Sequence, residues 1–512
     1  MYLTALDFVV IIVYMAGLAL IGLYFSKRQT SREEYFLGGR DIHWFLAGGS
    51  LMATLLSTIT YLSVPGEMIR YGIAYFGSIL AIPLIIPVTN RVLIPILMRL
   101  PISSAYEYLE KRFNVKVRSL ASFAFIGRTI LWMGLIIYTA SFAFAEMSGW
   151  NIYVTIIAIG LVTTFYTTTG GLRTVVWTDN IQLFILFGGA VAIPFFIAFA
   201  TGEGPLGWWQ TFSRAGRTEI QMFSMDLTVR ITVFGVVMSN FFWNIATSGG
   251  DQVAVQRYLS TPSLKAARRA VWVYTFWGVF LSLFLMLCGL ALFAFYAQKS
   301  GAPIGAFQEE IALRADRIMP QFIVQELPAG ISGLLLAALL AAAMSSLSSG
   351  INSISGVVMN DFLQRFGFLK DSVSLKVDKL ASLAAGVIGI GAAITIAAGA
   401  QSTNWNLVEL TGRINHIFVA PIAVLFFGGI LFRRTGSRAV LLSFVFGTLL
   451  SLFICFGKSW FGLEENLSFI WVVPIPFLAG LGLVALLNYI FRSPDREKIR
   501  GLTIGDVLGE EK

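Results

Sequence analysis

The sequence predicts an all-α membrane protein of about 13 transmembrane helices, and three observations carry that reading. The chain has 512 residues, 56% of them hydrophobic and only 13% charged, whereas a soluble globular chain runs at about 25% charged. Apolar runs long enough to cross roughly 30 Å of hydrocarbon recur along the whole length. Lysine and arginine alternate in density from one connection to the next. An aromatic content of 14% excludes a disordered or fibrous chain.

The spans fall near 6–26, 44–66, 73–98, 119–145, 151–168, 177–199, 228–248, 271–296, 328–357, 377–399, 411–432, 439–457 and 469–490. The first has no basic leader and no small-residue cleavage site, so it reads as a retained span rather than a signal peptide. An odd number of spans puts the termini on opposite sides. Alternate connections hold 27 lysines and arginines against 7 in the other set, with Arg128, Arg230 and Arg413 in or at the edge of spans. That bias places the N-terminus outside and the C-terminus in the cytoplasm; the expected location is a bacterial-type inner membrane. The net charge of +9 is therefore a topology signal and not a nucleic-acid footprint. Cys288 and Cys455 lie in apolar runs and give no disulfide framework. His43 and His416 are too few for a histidine-based metal site. No phosphate-cradling loop or nucleophile elbow is present, and the longest polar connections, 200–227 and 297–327, are too short for a nucleotide-hydrolysing domain. A channel or sensor on the same scaffold and a membrane enzyme are the competing classes; transport fits best.

Clustered polar groups inside spans are costly and line pathways or pair in the interior. Four hydroxyl residues, Thr54, Ser57, Thr58 and Thr60, fall in the second span, followed by Pro65 and Gly66. They either bend the helix harmlessly or mark a mid-membrane break that frees carbonyls. In the ninth span Ser345, Ser346, Ser348 and Ser349 follow Ala342. Small residues permit tight packing, but four hydroxyls also make hard oxygen ligands for a hard cation. Asp179 near the start of the sixth span either pairs with Arg173 or supplies the carboxylate of such a site. One carboxylate suits a monovalent cation better than magnesium or calcium. A second potential break lies in Asn240 to Gly250. Two breaks about five helices apart suggest two inverted five-helix halves, 44–200 and 228–433.

These segments resemble the sodium/solute symporter family. The resemblance rests on Glu34 to Arg40, Ser104 to Phe113, Gly170-Gly171-Leu172 through Trp177-Thr178-Asp179, Asp251 to Tyr258, and Met344 to Ser349. It covers roughly 6–490 and is nearest in feel to the bacterial sodium-coupled sialic acid transporters. It implies a LeuT-like inverted five-helix repeat with one extra N-terminal and two extra C-terminal helices. The units are 1–43 (leading helix and loop), 44–200 and 228–433 (the two repeats), 201–227 (an extracellular loop), 434–490 (two added helices) and 491–512 (a short, flexible cytoplasmic tail). The implied activity is sodium-coupled import by alternating access of a small organic solute. That solute is a carboxylated sugar such as sialic acid or another organic acid, with a neutral sugar or a monocarboxylate as the alternatives. Sodium ions, the solute and the lipid bilayer are the expected partners, with no nucleic acid and no obligate protein partner.

Carried over residue by residue, the resemblance implies a main sodium site of Ala53, Leu56 and Ala342 carbonyls with the Ser345 and Ser346 hydroxyls. A second sodium site would use Asp179, Ser348 and Ser349 beside the same two serines. The solute would sit beside the broken second span, near Ser57, Thr58 and Thr60, with Asn240, Trp243 and Asn244 facing it. The arginine that clasps the substrate carboxylate in sialic acid transporters falls on Trp132 in this sequence. Arg128 lies four residues earlier on nearly the same face and is either that clasp or a structural pair. Arg413, the other buried-looking arginine, is the next candidate to meet the solute, and His416 reads as a packed or outward-facing residue rather than a proton relay. Glu33, Glu34 and Arg32 read as a solvated loop, and Tyr106 to Phe113 as an amphipathic interfacial helix.

Overall fold

The computed structural model describes residues 3–26, 31–56, 58–368, 375–400, 407–491 and 499–506, so Ser57 lies outside the described residues. The main helices are α1 (Ala5–Ser26), α2 (Trp44–Leu55), α3 (Thr58–Tyr71), α4 (Val115–Ser148), α5 (Ile152–Thr201), α6 (Val233–Gly250), α7 (Gln252–Leu259) and α8 (Leu264–Ser300). They continue with α9 (Ile331–Val357), α10 (Leu375–Ala400), α11 (Leu407–Asn415), α12 (Val419–Leu431), α13 (Ser437–Phe461) and α14 (Pro474–Ile490). An irregular helical span, Ile73–Met98, lies between α3 and α4. Side-chain caps start several of these: Asn114 accepts from Val117 N, Thr232 from Gly235 N and Ser263 from Ala266 N, each satisfying an N–H that the helix itself leaves open.

Helix α9 is the hub. Its run of Ala, Ser and Gly lets neighbours approach on every side, and nearly every residue from Ser332 to Val357 is buried. It packs on α5, α4 and α1, and α10 lies across α4 and α5. Helix α8 packs on α2 and α3, where Gly48 sits against the Ala270 carbonyl with no room for a Cβ. Helix α6 runs between Ile73–Met98 and α12, and α13 and α14 close against α12.

Among the described residues nine helices are long and apolar enough to cross a membrane, or eleven if each of two bent pairs is one span. The expectation of 13 differs for identifiable reasons. Helix α5 joins two expected spans into 50 residues, interrupted at Gly171, where φ is 61° and ψ −167°, a conformation essentially reserved for glycine. The second span is broken, with Leu56 at φ −85°, ψ 91° and a 61° bend between α2 and α3. Pro65 sits inside α3 without ending it. The second expected break comes at Asp251 (φ −101°, ψ 117°), between α6 and α7, rather than earlier in 240–250. A third bend, 48° between α11 and α12, was not foreseen.

Two surface readings are corrected. Arg32, Glu33 and Glu34 are not a loosely solvated loop: they belong to the capped helix Arg32–Leu37 and pair with Asp378, Arg40 and Arg173 respectively. The segment 499–506 is not a free tail either, since Leu502 O accepts from Tyr108 Oη at 3.0 Å and Asp506 pairs with Arg433 at 3.0 Å. The helix Ala105–Arg112 forms as expected, on a capping box of Ser104 with Glu107, but its Tyr106, Tyr108 and Arg112 are fully buried.

Candidate cation and solute sites

Where α2 stops, its last carbonyls have no helical N–H to accept from. The hydroxyls of α9 meet them. Ser345 Oγ donates to Ala53 O at 2.8 Å and to Ala342 O at 3.1 Å. Ser346 Oγ donates to Thr54 O at 2.6 Å. Ala53, Ala342, Ser345 and Ser346 are all buried, and Leu56 stands at the break itself. The structure thus gathers carbonyl and hydroxyl oxygens at one buried point, a donor set suited to a hard cation.

Asp179, on α5, which packs against both α2 and α9, is fully buried and does not pair with Arg173, which is bound to Glu34 at 2.6 Å. Its Oδ2 accepts from Ser50 Oγ at 2.6 Å and Thr54 Oγ1 at 3.3 Å, and faces Arg257 Nη2 at 3.4 Å. Its Oδ1 has no hydrogen-bond partner. Ser349 shares this cluster through Thr54 Oγ1 at 2.8 Å and through Arg257, while Ser348 Oγ turns back to Ser345 O at 2.9 Å. Arg257 is the residue that sequence reasoning missed here. Its place in the Asp251 to Tyr258 motif is the signal that could have found it, while its pairing with Asp179, 78 residues away, is set by the fold.

Beside the α2–α3 break a cavity of about 290 Å³ opens between α3, Ile73–Met98, α4, α6, α8 and α11. Of the expected solute residues, Thr60, Trp132, Asn240, Trp243 and Asn244 line it, and so does Leu56, expected as a sodium ligand. Asn240 and Asn244 are largely committed to the protein: Asn240 Nδ2 donates to Ser78 O at 2.6 Å, and Asn244 Oδ1 accepts from Tyr274 Oη at 2.9 Å. Among the described lining residues, three buried polar atoms have no hydrogen-bond partner: Trp243 Nε1, Asn415 Oδ1 and His416 Nδ1. Asn415 and His416 were not placed there by the sequence, because the bend that turns them inward was not foreseen. Tyr274, Thr275 and Ser282 of α8 were missed as well, though hydroxyls in an apolar span were a visible signal.

Three expected solute residues stand elsewhere. Thr58 Oγ1 donates to Leu339 O at 2.8 Å and is buried against α9. Arg128 does not line the cavity; its Nη2 pairs with Asp251 Oδ2 at 2.5 Å. Arg413 also stands outside the lining. It pairs with Glu409 at 2.9 Å and donates to the Cys455 and Leu467 carbonyls at 2.9 and 3.2 Å, so its charge serves the α11–α13 junction. No lysine or arginine is among the described residues of the cavity lining.

A model of the sodium:solute symporter family matches residues 35–447. The chain is 33% identical over 464 residues to the sodium/sialic acid symporter SiaT of Proteus mirabilis, covering 88% of this chain and 90% of that one. It is 28% identical over 450 residues to the sodium/sialic acid symporter NanT of Aliivibrio fischeri, covering 86% of each. It is 29% identical to sodium-coupled monocarboxylate transporter 1 of Xenopus laevis, covering 89% of this chain and 72% of that one. A solved structure of a sodium-coupled sialic acid symporter, substrate-bound and outward-open, superposes with a TM-score of 0.83 at 30% identity, covering 96% of this chain and 99% of that one. A nucleobase-cation symporter in a closed conformation shares the fold at a TM-score of 0.54 and 11% identity. The architecture is the all-α, LeuT-type transporter fold.

Proposed function

The chain belongs to the sodium:solute symporter family, and from that premise we propose that it imports a sialic-acid-like organic acid together with sodium by alternating access. The observation that carries the sodium half is the meeting of the freed α2 carbonyls with Ser345 and Ser346 beside the cavity. Sodium is cargo here, held by Ala53, Leu56 and Ala342 through carbonyls and by the two hydroxyls. Asp179, Ser348 and Ser349 receive a second sodium, a reading supported by the bare Asp179 Oδ1 and by the novel sodium site described for the similar symporter. Arg257 supplies a competing positive charge there, so this second ion binds the more weakly of the two.

The architecture fits 13 spans in two inverted five-helix repeats, with the N-terminus outside and the C-terminus in the cytoplasm of an inner membrane. Taking α5 as two spans about Gly171, each bent pair as one and α6 with α7 as one brings the nine helices to 13. The solute carboxylate is received by neutral donors such as Trp243 Nε1 rather than by a guanidinium, with Thr60, Trp132, Asn240 and Asn244 around it. Ser57 lies at the break in the same wall.

A neutral sugar is the second reading, favoured by the lack of lysine and arginine in the described lining. Thermal-shift screening of purified protein in sodium or potassium chloride separates the two. Sialic acids, uronic acids, short monocarboxylates and hexoses are compared. Stabilisation by an acid in sodium alone is expected, and stabilisation by neutral hexoses alone rejects the carboxylate reading.

A further inference from the structure

Beneath the cavity three helices step down together toward the Val115 end of α4. On α4, Trp132 lines the cavity and Arg128 sits one turn lower, about 6 Å along the axis. On α6, Asn244 lines the cavity, while Thr247 and Gly250 line a void of about 10 Å³ below it. Across the α11–α12 bend, His416 lines the cavity and Val419 the lower void. At the centre of that lower layer stands the Arg128–Asp251 pair, both side chains 6% exposed. Asp251 also forms the break between α6 and α7, and its Oδ1 accepts from Val253 N at 2.9 Å. One carboxylate therefore holds the start of α7 with one oxygen and α4 with the other. Next to Asp251, the Gly250 carbonyl accepts from Tyr106 Oη at 3.1 Å.

A solute leaving the cavity toward this side must part α4 from α6 and α12, and so must pass the ion pair. We propose that Arg128–Asp251 is the inner gate of the transport cycle, latched while dry and released when water enters the layer. A buried pair holds because neither charge can be left alone in a dry environment. Once the helices separate, water solvates both ions and the open arrangement loses little. The gate is independent of which solute is carried. It rests on the proposed orientation only for calling that side cytoplasmic.

The test uses Thr247→Cys, next to the pair, in a chain whose native Cys288 and Cys455 are both buried. Proteoliposomes without solute are treated from either face with a membrane-impermeant methanethiosulfonate. Asp251→Asn keeps a residue able to cap α7 but strands Arg128. It should raise labelling about tenfold or more, from the Val115 face of the membrane only. Arg128→Met strands Asp251 and should do the same. The neutral combination Arg128→Met/Asp251→Asn should fall back toward the parent rate, because no lone charge remains. Unchanged labelling in both single variants overturns the gate. An equal rise from both faces overturns it too, as the mark of a loosened fold. A one-sided rise from the face opposite the Val115 end of α4 overturns it as well.

Discussion

Removing the two hydroxyls at the α2–α9 junction is the sharpest perturbation of the sodium reading. In Ser345→Ala/Ser346→Ala the Ala53, Ala342 and Thr54 carbonyls lose donors at 2.8, 3.1 and 2.6 Å. Three hydrogen bonds at about 1 kcal/mol each put the loss of stability without sodium near 3 kcal/mol. The sodium-dependent part is separate. A site at about 100 times its dissociation constant stabilises the fold by about 2.7 kcal/mol. Loss of two of five proposed oxygen ligands that weakens binding about a hundredfold leaves roughly 0.4 kcal/mol of that. Unfolding midpoints in sodium and potassium chloride at equal ionic strength read the difference directly, since the hydroxyl loss itself cancels between the salts. The comparison is made in an Asp179→Asn background, which removes the second proposed ion. A double variant whose midpoint still rises in sodium as far as the background's refutes the site.

Asp179→Asn alone should lower the coupling measured at the reversal potential from two sodium ions per solute to one. Each ion lost removes about 2.3 kcal/mol of drive per 100 mV, and a parent value of one would reduce Asp179 to a structural role beside Arg257. At the surface, the hydrogen bond from Arg365 chiefly, with Arg118 beside it, holds the Glu110 carboxyl below the ordinary carboxylate range. A depressed acid stabilises the fold above its unfolded pKa and loses that contribution as pH falls through the folded value. The parent's midpoint should therefore drop more than that of Glu110→Gln as pH falls below about 4.5, and parallel curves would count against the pairing.

The sequence shows most where one physical rule dominates. Spans such as α1 and α13 are legible because hydrocarbon demands an unbroken apolar run, and Ser345 and Ser346 because hydroxyls in such a run need partners. What hides is set by pairwise geometry. Arg128 and Trp132 share a face in the sequence, yet only Trp132 reaches the cavity, because Asp251, 123 residues away, claims the guanidinium. Arg413 is drawn off in the same way by Glu409 and the α13 carbonyls. The turn of Asn415 and His416 into the cavity follows from a bend that no proline or glycine at 416–418 announces.

The buried Arg112 has a practical consequence at the other end of the chain. Its guanidinium gathers the Gly429, Phe432 and Thr435 carbonyls as α12 runs out, while Tyr108, one turn away, holds Leu502. The same short helix touches the core through Tyr106 on Gly250 and Ala105 on Gln252. Residues 499–506 are thus coupled through less than one turn of helix to the break that separates α6 from α7. An affinity tag or fluorescent fusion that pulls this segment from its seat would therefore tug on the α6–α7 break through Tyr108 and Tyr106.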